Sequence, residues 1–271
     1  MTFLNDLAVD RYGDQHDRRP ALVLLHGLTY DRRQWTPFAR ELAAIDPGRR
    51  VVALDLPGHG ESAAWDSYGS GAVVDAVHGA VVEAGLEAPV VIGHSLGAVL
   101  ATIYGGRYPV SGVVNVDQAL RVGGFKEALR QLEPVLRGPE WRRVWDRMLA
   151  SMHVELLPPA AREIAEQFTT PRQELLLGYW DEVLTGSVEQ LDGARARELA
   201  GLGRPYAWVT GAEPDPAERE WMAGLLPELE ITVMPGSGHF PHLAHPDRLA
   251  AMITATKWRP RQDARSLRDN S

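Results

Sequence analysis

The sequence contains no cysteine. That single absence excludes disulfides, thiolate metal sites and a cysteine nucleophile. It leaves the redox compartment open, because a chain without cysteine fits the cytosol without requiring it. Positive charge is also short: 28 basic against 36 acidic side chains give a net charge of −8. Such a balance makes a nucleic-acid backbone a poor main partner. No apolar run approaches the roughly 18 to 20 residues that a membrane helix needs. The opening residues, MTFLNDLAVD, carry no basic stretch ahead of an apolar one, which argues against a signal peptide. Internal repeats are missing too, which excludes solenoids and propellers. What remains is a 271-residue chain with 45% hydrophobic and 24% charged residues, long enough for one large or two small domains with a buried core. The expectation is a soluble, cytoplasmic protein with neither a nucleic-acid nor a membrane partner, its oligomeric state left open.

Short continuous apolar runs recur at Ala21–Leu25, Val51–Leu54, Pro89–Ile92, Val113–Val116, Tyr206–Thr210 and Ile231–Met234. Runs of this length, apolar on both sides, suit strands covered on both faces by helices. Helical patterns lie between them at Gln34–Ala44, Ser70–Ala84, Leu96–Arg107 and Pro246–Thr256. The alternation predicts an α/β fold with a mostly parallel sheet, and ligands in such sheets bind beyond the carboxyl ends of the strands. One interval breaks the pattern. Residues 118–203 show no strand but several helical stretches, at Lys126–Leu136, Trp141–His153, Pro159–Phe168 and Gln173–Leu184. This reads as a helical insertion over the strand ends, since a structureless loop of that length is uncommon. It carries Trp141, Trp145, Met148, Met152, Phe168, Tyr179 and Trp180; most of these are expected in its own core and a minority on a pocket wall. The division that follows is a core of residues 1–117 and 204–258, a cap of residues 118–203, and a disordered tail from residue 259.

Gly93-His94-Ser95-Leu96-Gly97 is a G-x-S-x-G pentapeptide. Alone it is weak, because this composition gives about 0.1 chance matches. Its setting strengthens it: the strand VVI runs straight into it and a helical run follows. A sharp strand-to-helix turn needs small neighbours around the serine, and it places that serine at a helix N-terminus, where negative charge is favoured. His26-Gly27-Leu28 follows the first strong strand. An oxyanion hole needs two backbone N–H groups, and those of Leu28 and Leu96 are the candidates. Gly236-Ser237-Gly238-His239 follows the last strand, and a serine nucleophile needs a neighbouring base. His239 is the candidate. His242 and His245 read as loop or helix-cap residues, and their spacing from His239 matches no zinc motif.

LVLLHGL, DLPGHGES (Asp55 to Ser62), GHSLG and the late GSGHFPHL together resemble the α/β-hydrolase superfamily in its esterase and lipase branch, from about Ala21 to Thr256. The resemblance implies a sheet of about eight strands and a helical cap matching residues 118–203. It implies Ser95 as nucleophile, His239 as base, and the amides of Leu28 and Leu96 as oxyanion donors. Relatives with epoxide hydrolase or haloalkane dehalogenase activity carry aspartate where this chain has Ser95. The G-x-G-x-x-A match at Gly58–Ala63 falls inside the hydrolase loop and is not a dinucleotide site. The acid departs from the family pattern: Gly211-Ala212-Glu213-Pro214-Asp215-Pro216 is one residue out of step with G-x-x-D-P. Asp117, at the end of the VVNVD run, competes with Asp215 and Glu213, and all three stay open. Ala244 stands where many relatives hold a glutamate. The expected activity is hydrolysis of a partly apolar, small-molecule carboxylic ester through an acyl-enzyme, without cofactor or metal. Thioesterase, lactonase and carbon–carbon hydrolase activities use the same groups, and a ligand receptor on the same fold is the non-enzyme alternative.

Overall fold

The computed structural model describes residues 2–258, so the expected tail from residue 259 lies outside the described residues. Eight strands form one sheet in the order β1-β2-β4-β3-β5-β6-β7-β8. They are β1 (Thr2–Leu4), β2 (Leu7–Tyr12), β3 (Leu22–Leu25), β4 (Val51–Leu54), β5 (Val90–His94), β6 (Gly112–Val116), β7 (Tyr206–Thr210) and β8 (Glu230–Val233). From β4 to β8 every pairing is parallel, and β2 joins β4 antiparallel. The expected α/β-hydrolase fold, with its mostly parallel eight-stranded sheet, is the observed one. Six strands match apolar runs read from the sequence to within a residue or two at each end. The hairpin β1–β2 had no such signal. Its second strand alternates toward the charged pair Asp10 and Arg11, and it turns through Asn5 and Asp6 at φ 46° and 63°, a conformation that short polar side chains tolerate.

Strand periodicity decides what each face of the sheet buries. In β3, Leu22 and Leu24 pack on one side while Val23 and Leu25 pack on the other; in β4, Val51 and Ala53 oppose Val52 and Leu54. Each fully buried aliphatic side chain of this kind is worth about 1.5–3 kcal/mol. One face is covered by α1 (Thr36–Ile45) and α11 (Pro246–Ala255), which bring Phe38, Leu42, Leu249 and Ile253 beside Trp35. The other is covered by α2 (Ser70–Glu83) and α3 (Leu96–Arg107).

Between β6 and β7 lie five α-helices: α4 (Gly123–Leu136), α5 (Arg142–Ser151), α6 (Pro159–Gln167), α7 (Gln173–Thr185) and α8 (Val188–Leu202). Four of them are the helices read from the sequence. The last, α8, runs along α3, where Gly106 lies so close to Glu198 that a Cβ would collide with it. Two further helices complete the fold, α9 (Pro216–Leu225) after β7 and the short α10 (Pro241–Ala244) after β8. Strand β3 is followed by β4 on one side and β5 on the other, and that reversal opens a crevice at the carboxyl ends of β3 and β5. Among the described residues no helix is long and apolar enough to cross a membrane.

Candidate active site

Ser95 follows β5 directly and takes φ 52° and ψ −120°. A non-glycine residue in that region is strained by about 1–3 kcal/mol, and its neighbours hold it there. A Cβ on Gly93 would strike the carbonyl of Gly97, and a Cβ on Gly97 would strike the carbonyls of Leu25 and His26. The two glycines of the pentapeptide are therefore demanded by packing. The Ser95 amide donates to the Val116 carbonyl at 3.0 Å. Its hydroxyl, half-buried, has no hydrogen-bond partner among the described residues and faces the same cavity as His239.

The turn after β3 leaves one amide over. Gly27 N–H donates to Gln34 Oε1 at 3.4 Å, Thr29 N–H to His59 Nε2 at 3.1 Å, and Tyr30 N–H to the Gly27 carbonyl at 3.2 Å. Between them the Leu28 N–H has no partner among the described residues, and neither does that of Leu96. Thr29 itself takes φ 71°. The DLPGHGES segment is what builds this turn. His59 donates through Nδ1 to the Pro57 carbonyl at 3.0 Å, so its Nε2 is free to accept from Thr29. Asp55, fully buried, accepts from the amides of Arg32 at 2.7 Å and Glu61 at 2.9 Å and pairs with the Arg32 guanidinium. Gly60, at φ 50°, lies against the Asp55 carboxylate with no room for a Cβ. The sequence motif was visible, but the tasks of His59 and Asp55 emerge only from these partners.

The three candidate acids separate cleanly. Asp117 Oδ2 accepts from His239 Nδ1 at 2.7 Å, while Oδ1 accepts from the Gly211 amide at 2.7 Å. Asp215 instead caps α9, its Oδ1 accepting from the amides of Ala217 at 2.9 Å and Glu218 at 3.1 Å. Glu213 is exposed on the rim of the cavity. The structure thus brings His239 together with Asp117 and keeps Asp215 in a capping role. Asp117 sits at φ 57°. Asn115, a buried amide within an apolar strand, braces it by donating to the Gln118 carbonyl at 2.8 Å and accepting the Gln118 amide at 3.1 Å. Glu218, also buried, accepts from the amides of Leu120 at 2.7 Å and Arg121 at 3.2 Å, tying down the chain just beyond.

Four left-handed, non-glycine residues gather here: Thr29, Ser95, Asp117 and His153. Among the described residues the other two of this kind form the β1–β2 turn. Backbone strain is thus concentrated on the loops that carry the candidate site.

His26, His59, His94 and His242 are all buried. Burial holds each of them below the usual histidine range, His242 down to about 3, so all four are neutral at pH 7. An unfolded chain binds protons on these residues below about pH 6.5 while the folded chain does not, which lowers stability by about 1.4 kcal/mol per pH unit for each histidine. The stabilisation is complete above pH 6.5 and is lost as pH falls toward the folded-state values. Thermal melting between pH 7.5 and 5 should therefore show a steep fall in Tm, whereas a flat Tm would mean these rings are not held neutral. His242 lies beside Trp35, at 4.7 Å between ring centroids with the rings tilted by 40°, and His245 Nε2 lies 3.1 Å from the Pro235 carbonyl.

The candidate residues open onto a cavity of about 1270 Å³, larger than the roughly 300–1,000 Å³ of common small-molecule sites. Of the large apolar side chains expected in the helical interval, Trp145, Met148, Met152, Tyr179 and Trp180 line it, while Trp141 and Phe168 do not. The expectation that only a minority would reach the pocket is thus corrected. Trp145 and Met148 come from α5 and Tyr179 and Trp180 from α7, and Trp145, Tyr179 and Trp180 belong at the same time to the buried core. Phe168 lies under the Arg33 guanidinium instead, at 4.2 Å.

The family model described as "Alpha/beta hydrolase family" matches residues 22–252. The biotin biosynthesis bifunctional protein BioHC of Cellvibrio japonicus is 28% identical over 246 residues, covering 87% of this chain and 47% of that protein. This chain therefore spans about half the length of that relative. A pimeloyl-[acyl-carrier protein] methyl ester esterase of Xanthomonas campestris is 28% identical over 250 residues, covering 86% of this chain and 93% of the relative. Among solved structures, a thermophilic esterase from Thermogutta terrifontis superposes with a TM-score of 0.73 at 24% identity, covering 92% of this chain and 91% of that one.

Proposed function

The chain belongs to the alpha/beta hydrolase family, and from that footing we propose that it is a serine hydrolase of the carboxylesterase type, with Ser95, His239 and Asp117 as its catalytic groups. The observation that carries the reading is the 2.7 Å bond from His239 Nδ1 to Asp117 Oδ2, made on the same cavity wall as the strained Ser95. A carboxylate on Nδ1 leaves Nε2 as the basic nitrogen and stabilises the ring once it is protonated. Ser95 Oγ attacks the ester carbonyl as His239 Nε2 takes its proton. The two unpaired amides of Leu28 and Leu96 receive the oxyanion, and pre-aimed donors of this kind act where charge develops. Collapse of the tetrahedral intermediate breaks the ester C–O bond, and the departing alcohol takes the proton from His239. Water then attacks the acyl-enzyme by the same route and frees Ser95.

The cap of this reading is α4 to α7. Setting α8 with the core narrows the expected cap of residues 118–203 at its C-terminal end, and the packing of α8 along α3 supports that boundary. The aromatic and methionine side chains of the cap suit an ester with an apolar portion. Apolar walls discriminate weakly, by about 1–3 kcal/mol per methylene, so several esters should be turned over. Hydrolysis of p-nitrophenyl esters from acetyl to palmitoyl tests this directly. Turnover is expected to peak at one chain length, and the peak sizes the acyl pocket; no turnover on any member of the series would overturn the carboxylesterase reading.

A further inference from the structure

His94, the residue between Gly93 and the candidate nucleophile, is fully buried and reaches across to the base. Its Nε2 lies 2.7 Å from the backbone carbonyl oxygen of His239, and the two rings stand 4.8 Å apart between centroids. A carbonyl only accepts, so Nε2 carries the proton and His94 is the donor. The opposite edge of the ring faces the turn after β3: a Cβ on Gly27 would press on Nδ1 and Cε1 of His94. One imidazole therefore touches all three candidate loops: the elbow it belongs to, the turn that presents Leu28, and the loop that presents His239.

The loop carrying His239 needs such a tie. It runs through Gly236 at φ 76° and Gly238 at φ 50°, conformations that side-chain-bearing residues rarely adopt. The His239 peptide is then held on both sides, its N–H donating to the Met152 carbonyl at 2.9 Å and its carbonyl accepting from His94. Asp117 orients the ring but cannot fix how far the ring stands from Ser95. That distance depends on where the peptide is anchored, and His94 anchors it to the residue adjoining Ser95.

We infer that His94 is a positioning residue, which sets the reach of His239 to Ser95 by hydrogen-bonding the His239 carbonyl. This rests on the hydrolase reading above. Burial and the neighbouring His242 and His239 hold His94 well below the ordinary histidine range. The residue therefore stays neutral while His239 cycles through its cation, and it adds no second charge beside it.

His94→Phe keeps an aromatic ring of similar breadth and removes the donor, whereas His94→Gln retains a donor. Because a misplacement of about 1 Å can cost 10²-fold, His94→Phe is expected to lower kcat on p-nitrophenyl esters by about that factor with KM within threefold. His94→Gln should recover kcat to within about tenfold of wild type. The Nδ1–H proton resonance of His239 gives a second readout that needs no turnover, and in His94→Phe it should broaden or shift. Unchanged kcat and an unchanged resonance in His94→Phe would overturn the inference. So would a loss of kcat with no recovery in His94→Gln, which marks a role in folding alone. If wild type hydrolyses no ester, the activity reading fails while the resonance still decides the role of His94.

Discussion

Ser95→Ala is expected to lower turnover of p-nitrophenyl esters by about 10⁴- to 10⁶-fold, with KM changed by a few-fold at most. The asymmetry follows from what the substitution removes. The cavity is lined chiefly by residues between β6 and β7, together with Leu28 and Leu96, all of which remain. Only the bond-forming oxygen is lost. Alanine occupies the same tight elbow, since the packing constraints there fall on Gly93 and Gly97, so melting temperature should hold to within a few degrees. Covalent labelling by a fluorophosphonate should likewise disappear. Activity within tenfold of wild type would remove Ser95 as the nucleophile.

Asp117→Asn should cost about 10⁴-fold in kcat, whereas Asp215→Asn should leave activity within about threefold. The contrast rests on two different sets of partners. An asparagine at 117 can still accept the Gly211 amide through its oxygen, which turns its NH₂ toward His239. That ring must then present a bare Nδ1 and carry its proton on Nε2, the wrong tautomer for accepting a proton from Ser95. Asp215 serves the first turn of α9, where asparagine caps about as well as aspartate. Glu213→Gln belongs with Asp215→Asn, because Glu213 is exposed and does not contact His239 through any hydrogen bond among the described residues. Parallel kinetics on the three variants check the assignment, and equal, mild losses from Asp117→Asn and Asp215→Asn would leave the base without either acid.

The central strands were legible because burial on both faces writes a continuous apolar run, as in LVLL and VVAL. The edge hairpin was not, because β2 carries charge at its solvent end and its turn depends on Asn5 and Asp6 in left-handed conformations. Ser95, Leu28, Leu96 and His239 stand where local turn chemistry marks them. The acid was undecidable for a physical reason: Asp117 and Asp215 both follow strand ends, and only the long-range pairing of β6 with β7 shows which carboxylate meets a histidine 122 residues away. The bracing residues lay deeper still. Asn115 could have been noticed as a polar residue inside VVNVD, since a buried amide must find partners. His94 and Glu218 carry no local signal, because each acts on backbone groups brought to it by the fold.

The carbonyl of Met152 on the His239 amide has a bearing on how this protein could be re-engineered. Exchanging caps between hydrolases is an attractive way to change what they accept, and it treats the cap as a separable module. Here the seam runs through the machinery beneath. The Met152 carbonyl holds the His239 amide, Thr170 N–H donates to the Thr29 carbonyl at 2.8 Å beside Leu28, and Tyr179 OH donates to the Pro57 carbonyl at 2.9 Å. A transplanted cap that fits the cavity but fails to reproduce these three joints would deliver substrate to loops left without their outer supports. Grafts that keep residues 151–153, 169–170 and Tyr179 from this chain, and vary only the other wall positions of α4, α5 and α7, are the chimeras that should retain turnover.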